Sequence, residues 1–181
     1  MKKLFLSIIV FFSILHADIP SQMVQLYQKG AYSEVCSIGI QHFKQIHSNE
    51  AYVSLYAFGC LKADQIDCLN TPTKLLNQSP EARINASYFS LLIMQKKLLL
   101  QALYDNYPLK SLKLPTSSSL LSKVFDLYCK SPQSSSSIKK YTDPNNPRQT
   151  YNLYTVQING YKTFAIDVYY DRILATHHVY Q

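Results

Sequence analysis

The sequence predicts an α+β fold: a mainly α array of helical hairpins with a long central helix, followed by a three-stranded antiparallel β meander. Three observations predict it. Between Met23 and Tyr128, apolar residues recur every three or four positions, the period of a helix with one buried face. After Tyr151 the residues become β-favouring and the period falls to two. Within that last run, Asn159-Gly160 supplies the two residues that accept the positive φ of a tight hairpin turn.

The start of the 181-residue chain reads as a leader. Lys2 and Lys3 precede twelve mostly apolar residues, Leu4 to Leu15, and His16-Ala17 close the run. A short apolar core behind two cations, ending on a small residue, is the pattern of a secretory signal peptide. It falls short of the roughly 20 apolar residues that a spanning helix needs. Residues 1–17 are therefore expected to be cut away, leaving a periplasmic or secreted chain from Asp18 with no stable membrane span. Leu15 is bulky for its place two residues ahead of Ala17, so retention as an N-terminal anchor is the alternative. The remaining boundaries are 18–130 for the helical domain, 131–149 for a Ser/Pro-rich linker, and 150–181 for a β meander that packs on the helices.

The formal charge is +7, and loss of Lys2 and Lys3 with the leader leaves +5. No basic run exceeds two residues. A nucleic-acid groove needs a concentrated basic stripe, so nucleic acid is not an expected partner. Fifteen Tyr and eight Phe with no Trp is an unusual aromatic mix. Tyr, with a large ring and one polar tip, suits half-exposed surfaces and interfaces.

Each element has a local reason. Pro20-Ser21 opens a helix carrying Met23, Val24, Leu26 and Tyr27, and Gly30 stops it, since glycine accepts a left-handed C-terminus. Tyr32 to Ile46 restarts it. Ser48-Asn49 caps a third helix, Ala51 to Ala63, whose apolar residues nearly encircle it and so predict burial on most sides. Thr71-Pro72 marks a short helix through Leu75-Leu76. Ser79-Pro80-Glu81 starts the longest pattern, to about Asn106; Gln95-Lys96-Lys97 interrupts its apolar run, which makes it a core helix. Tyr107-Pro108 ends it. Ser117-Ser118-Ser119 caps Leu120 to Lys130. Pairing Ile158 with Tyr161 sets Leu153 opposite Ile166 and Thr155 opposite Phe164, so Leu153, Phe164, Ile166 and Val168 share a core face. Asp171-Arg172 turns the chain into a last strand, Ile173 to Tyr180.

The stretch Tyr27-Gln28-Lys29-Gly30-Ala31-Tyr32-Ser33-Glu34-Val35 resembles the inter-helix turn of a tetratricopeptide repeat, and Tyr52 to Leu61 is similar to a following first helix. The likeness covers about residues 19–82. Met23 stands where a small residue is expected, Pro72 interrupts the second unit, and no third unit is visible. The resemblance implies protein or peptide binding rather than catalysis, with a protein partner in the cell envelope. Tyr27, Tyr32, Tyr52 and Tyr56 are the candidate contacts. It also sets the helices of Cys36 and Cys60 side by side as neighbours in a hairpin array.

Cys36, Cys60, Cys68 and Cys129 all survive removal of the leader, and an even count in an oxidising space suggests disulfides. Cys36 with Cys60 is one pairing; Cys68 with Cys60 or with Cys129 is another. No Cys-x-x-Cys is present, so neither a thioredoxin-like site nor a zinc site has its usual spacing. His177 and His178 point to opposite faces of a strand and cannot share one ion. Ser136-Ser137-Ile138-Lys139 has the Ser-x-x-Lys spacing of penicillin-recognising enzymes, but not at a helix start. Asp64 and Asp67 read as solvated turn carboxylates. No catalytic, cofactor or metal residues are assigned. The function expected is a non-catalytic exported interaction module; the alternative is an envelope enzyme or ligand carrier with its site between helices and sheet.

Overall fold

The structure, a computed structural model, describes residues 18–110, 112–131 and 136–181. The expected leader and its cut lie outside the described residues. Among the described residues, seven α-helices precede a four-stranded antiparallel sheet. No helix among the described residues is long and apolar enough to cross a membrane.

The first helices are α1 (Ile19–Gln28), α2 (Tyr32–Gln41), α3 (Phe43–Ile46) and α4 (Glu50–Lys62). Gly30, at φ 77°, makes the turn between α1 and α2. There Gly30 N donates to Tyr27 O and Ala31 N to Leu26 O. The rings of Tyr27 and Tyr32 meet edge to face at 5.1 Å across that turn. The single helix expected over Tyr32 to Ile46 is instead broken at His42, whose φ of −106° leaves the helical region.

α2 and α4 pack with almost no gap. A Cβ on Gly39 would stand 2.3 Å from Tyr56 Cδ2, and one on Gly59 would stand 2.6 Å from Val35 Cγ1. Each helix thus offers a glycine to a bulky residue of the other. Cys36 and Cys60 lie in the same seam and are disulfide-bonded, with Cα atoms 4.6 Å apart.

A 3-10 turn (Ile66–Leu69) runs directly into α5 (Asn70–Leu75). Pro72 therefore sits inside this helix, not at its first position. The long α6 (Pro80–Asp105) and α7 (Leu120–Lys130) follow. Ser79 caps α6 by accepting from Ala82 N, and Ser119 caps α7 by accepting from Ser122 N, both at 3.1 Å. Glu50 fixes the approach to α6: its carboxylate accepts from the backbone N–H groups of Asn77, Gln78 and Ser79. Those bonds hold its carboxyl below the usual range, Gln78 N–H contributing most.

The sheet has the order β1 (Ile138–Asp143), β2 (Asn146–Ile158), β3 (Tyr161–Tyr170), β4 (Ile173–Val179). The β2–β3 register is the expected one, with Ile158 opposite Tyr161, Leu153 opposite Ile166 and Thr155 opposite Phe164. Leu153, Phe164 and Ile166 are fully buried. The three-stranded meander needs correction: a fourth strand comes from the stretch read as a linker. Residues 138–149 form β1 and the start of β2. Asp-Pro-Asn-Asn is the turn of this extra hairpin because Asp143 is 2% exposed and held. Asp143 accepts from Lys123 Nζ at 2.8 Å, Tyr151 OH at 2.6 Å and Asn145 N at 2.9 Å. Lys123 and Tyr151 hold its carboxyl down at about 2.

Helices and sheet meet through polar bonds as well as the shared core. The Tyr104 hydroxyl on α6 lies 2.9 Å from both the Val156 and Thr163 carbonyl oxygens. Gln181 is stitched to the loop after α4: its N–H donates to Asp64 O at 2.9 Å, and its carbonyl accepts from Asp67 N at 3.0 Å.

Candidate functional site

The chain turns sharply after α4 because Asp64 adopts φ 58°, a left-handed position that aspartate tolerates better than most residues. That turn aims the Asp64 side chain at β4. On β4, alternation sends His177 and His178 to opposite faces, and each finds its own carboxylate. His177 Nδ1 meets Asp167 at 2.6 Å, and His178 Nδ1 meets Asp64 Oδ2 at 2.8 Å. Thr176, two residues before His178, shares its face, and its Oγ1 lies 3.0 Å from His178 Nε2. Carboxylate, imidazole and hydroxyl therefore stand in line. The Asp64 hydrogen bond raises the His178 pKa above its ordinary value, against a downward push from burial.

Asp64 and His178, but not the exposed Thr176, line a cleft of about 560 Å³ between the helices and the end of β4. Its walls include Tyr27 of α1, Phe58 of α4, Tyr88 of α6 and the first turn of α7 at Leu120. Lys62, Asn85, Asp64 and His178 supply the polar groups. Ile84 lies on its rim and is 69% exposed. Asn85 Nδ2 donates to Ser54 Oγ at 3.1 Å, which orients the amide. Burial, with Tyr32 adding, pushes the Tyr27 hydroxyl up. A second groove of about 430 Å³ between α5 and α6 is lined by Ile93, Met94 and Leu98 with Lys74 and Lys97. It brings no acid together with a base, so the first cleft is the candidate site.

The four tyrosines expected to touch a partner separate. Tyr27 lines the cleft, and Tyr32 meets Tyr27 edge to face. Tyr52 is partly buried against the core. Tyr56 corrects the expectation: it is 3% exposed, packs on Gly39, and donates its hydroxyl to Cys68 O at 3.2 Å. Desolvation pushes its pKa up to about 12. It is a core residue. Cys68 and Cys129 are free thiols.

Asp64 and Asp67 both carry ion pairs, and only Asp67, at 64%, keeps the solvent exposure expected of the two. Asp64 takes His178, and Asp67 takes the buried ammonium of Lys96 at 2.8 Å. His42 and His47 make only local contacts, to Gln45 and to the Lys44 carbonyl. Lys139 lies on β1 and Ser136 just before it, so Ser-x-x-Lys opens no helix. The Asp64–His178–Thr176 line escaped the sequence reading, because its acid and base lie 114 residues apart. The one available signal was the two-residue spacing of Thr176 and His178 on a strand. Comparison of the chain with protein-family models, with curated proteins and with solved structures yields no match.

Proposed function

We propose that this protein is an exported, tetratricopeptide-like binding module that takes a short peptide segment of an envelope protein in the cleft between its helices and its sheet. The cleft carries this reading. Aromatic faces at Tyr27, Phe58 and Tyr88 suit apolar side chains, while Asn85, Lys62 and the Asp64–His178 pair offer directional bonds. The exposed Ile84 at the rim extends the apolar surface toward an incoming chain. The Gly30 turn, the Tyr27–Tyr32 contact and the glycine seam between α2 and α4 support the hairpin-array part of the reading. The Cys36–Cys60 bridge supports an oxidising compartment.

A photo-crosslinking residue placed at Ile84 tests it in intact cells. The expected result is one discrete envelope adduct that is lost on Tyr88→Ala. A probe at Ile173, 73% exposed on β4 and outside the cleft lining, serves as control. Equal labelling from both positions, or none from Ile84, would sink the reading.

A second reading rests on the hydroxyl–imidazole–carboxylate line. With Nδ1 donating to Asp64, the neutral His178 ring accepts the Thr176 hydroxyl at Nε2, the arrangement of a general base beside an oxygen nucleophile. That reading makes the protein an acyl-transfer enzyme acting on esters or amides that reach the exposed Thr176 hydroxyl beside the cleft. Turnover of an activated ester that disappears in both Thr176→Ala and Asp64→Asn supports it; identical rates in wild type and Thr176→Ala exclude it.

A further inference from the structure

The sulfur atoms of Cys36, Cys60 and Cys68 all lie within 4.8 Å of one another. Cys36 and Cys60 form the bridge, and both are fully buried. Cys68 is a half-buried free thiol on the 3-10 turn that follows α4. Its thiol donates to Gln65 Oε1 at 3.8 Å, and the same oxygen lies 3.2 Å from Cys36 Sγ. One amide oxygen thus touches both the free thiol and the bridge. The Tyr56 hydroxyl, anchored in the α2–α4 seam, holds the Cys68 carbonyl in place. We propose that Cys68 is the attacking thiol of an intramolecular disulfide-exchange site, through which the bridge migrates from Cys36–Cys60 to a pair that includes Cys68.

The chemistry balances without an outside oxidant. Cys68 gives its proton to solvent, and its thiolate attacks one sulfur of the bridge. A new S–S bond forms as the old one breaks. The displaced cysteine leaves with the electron pair and takes up a proton. One thiol and one disulfide stand on each side. Attack on Cys60 closes a bridge within the corner after α4 and releases α2; attack on Cys36 ties α2 to the 3-10 turn. Burial, with help from Asp67 and against Lys96, pushes the Cys68 thiol up. The migration therefore speeds up with rising pH, as the thiolate fraction grows.

The test uses Cys36→Ser and Cys60→Ser proteins equilibrated in a glutathione redox buffer, blocked with N-ethylmaleimide and mapped by non-reducing peptide mass spectrometry. Cys36→Ser is expected to carry a Cys60–Cys68 bridge, and Cys60→Ser a Cys36–Cys68 bridge. Each should exceed its mixed glutathione adducts by about ten-fold, because neighbouring thiols meet at high effective concentration. Buried Cys129 stays reduced and serves as internal control. Folded variants in which Cys68 stays free, or carries glutathione instead of a bridge, overturn the proposal. If neither variant folds, the wild type decides. Cys68-containing bridges that accumulate at alkaline pH sustain the proposal, and Cys36–Cys60 alone at every pH overturns it.

Discussion

The seam between α2 and α4 and the joint between the helices and the sheet are held by different forces. The seam has two glycines that let side chains interlock, plus a covalent bridge. Nothing in that packing titrates near neutral pH. The joint adds to its apolar core a set of directional groups: Tyr104 on two strand carbonyls, Gln181 on the loop after α4, Asp64 with His178, and Lys123 with Asp143. Close packing fails all at once, because removing a contact leaves a void or a clash. Hydrogen bonds and ion pairs fail one at a time, and some respond to protons. The seam is therefore expected to report global unfolding, and the joint to open locally beforehand.

The sharpest way to break this contrast is to remove the bridge. A Cys36→Ser/Cys60→Ser double variant should lose about 2–4 kcal/mol of unfolding free energy in a urea titration, as removing a bridge from a small domain does. An unchanged midpoint would mean that the seam stands on packing alone. Gly39→Ala comes next. Its methyl group has to displace the buried Tyr56 ring, and overpacking of this kind costs about 1–3 kcal/mol. Loss should appear in the global transition, with amide exchange accelerated throughout α2 and α4.

Tyr104→Phe is a smaller probe of the joint. It removes one hydroxyl from two carbonyls, for a cost of about 1 kcal/mol. Exchange of the β2–β3 amides should quicken while α2 and α4 keep their protection. Uniform acceleration in both regions would contradict the division.

The last probe is pH, and it splits the joint in two. His178 has its pKa raised by Asp64, so its contribution is fully present below the ordinary value of 6.5 and is lost as pH rises through the folded value. Amides near Asp64 and Gln181 should exchange faster, after correction for intrinsic rates, on the alkaline side of that range. Asp143 runs the other way. Its stabilising contribution is present above the ordinary 3.8 and is lost as pH falls through about 2. Acid should loosen the β1–β2 hairpin from α7 first, and Asp143→Asn should remove that acid sensitivity.

Legibility in the sequence followed the range of the forces. The β2–β3 register could be read residue by residue, because Asn159-Gly160 fixes the turn and the period of two fixes the rest. The start of α6 was equally local, written in Ser79 and Pro80. β1 was not legible. Its inner positions are Lys139, Tyr141 and Asp143, so the usual apolar alternation is missing, and prolines and serines on either side read as loop. What makes it a strand is its ladder with β2, closed at the turn end by Lys123, twenty residues earlier, bonding Asp143. The cleft failed for the same reason, since Asp64 and His178 have no meaning apart. Tyr56 was misread because an encircled helix leaves no outer face, and its neighbour Gly39 is recognisable as a slot only once α2 and α4 are paired.

Tyr104 carries one more implication. Its hydroxyl rests against carbonyls from two strands that face each other, Val156 and Thr163. Sliding one strand past the other by a single residue would carry these two oxygens apart by about 3.3 Å along the strands. The side chain thereby proofreads strand alignment from a rigid helix some fifty residues upstream, and a misaligned hairpin leaves that phenol without its cradle.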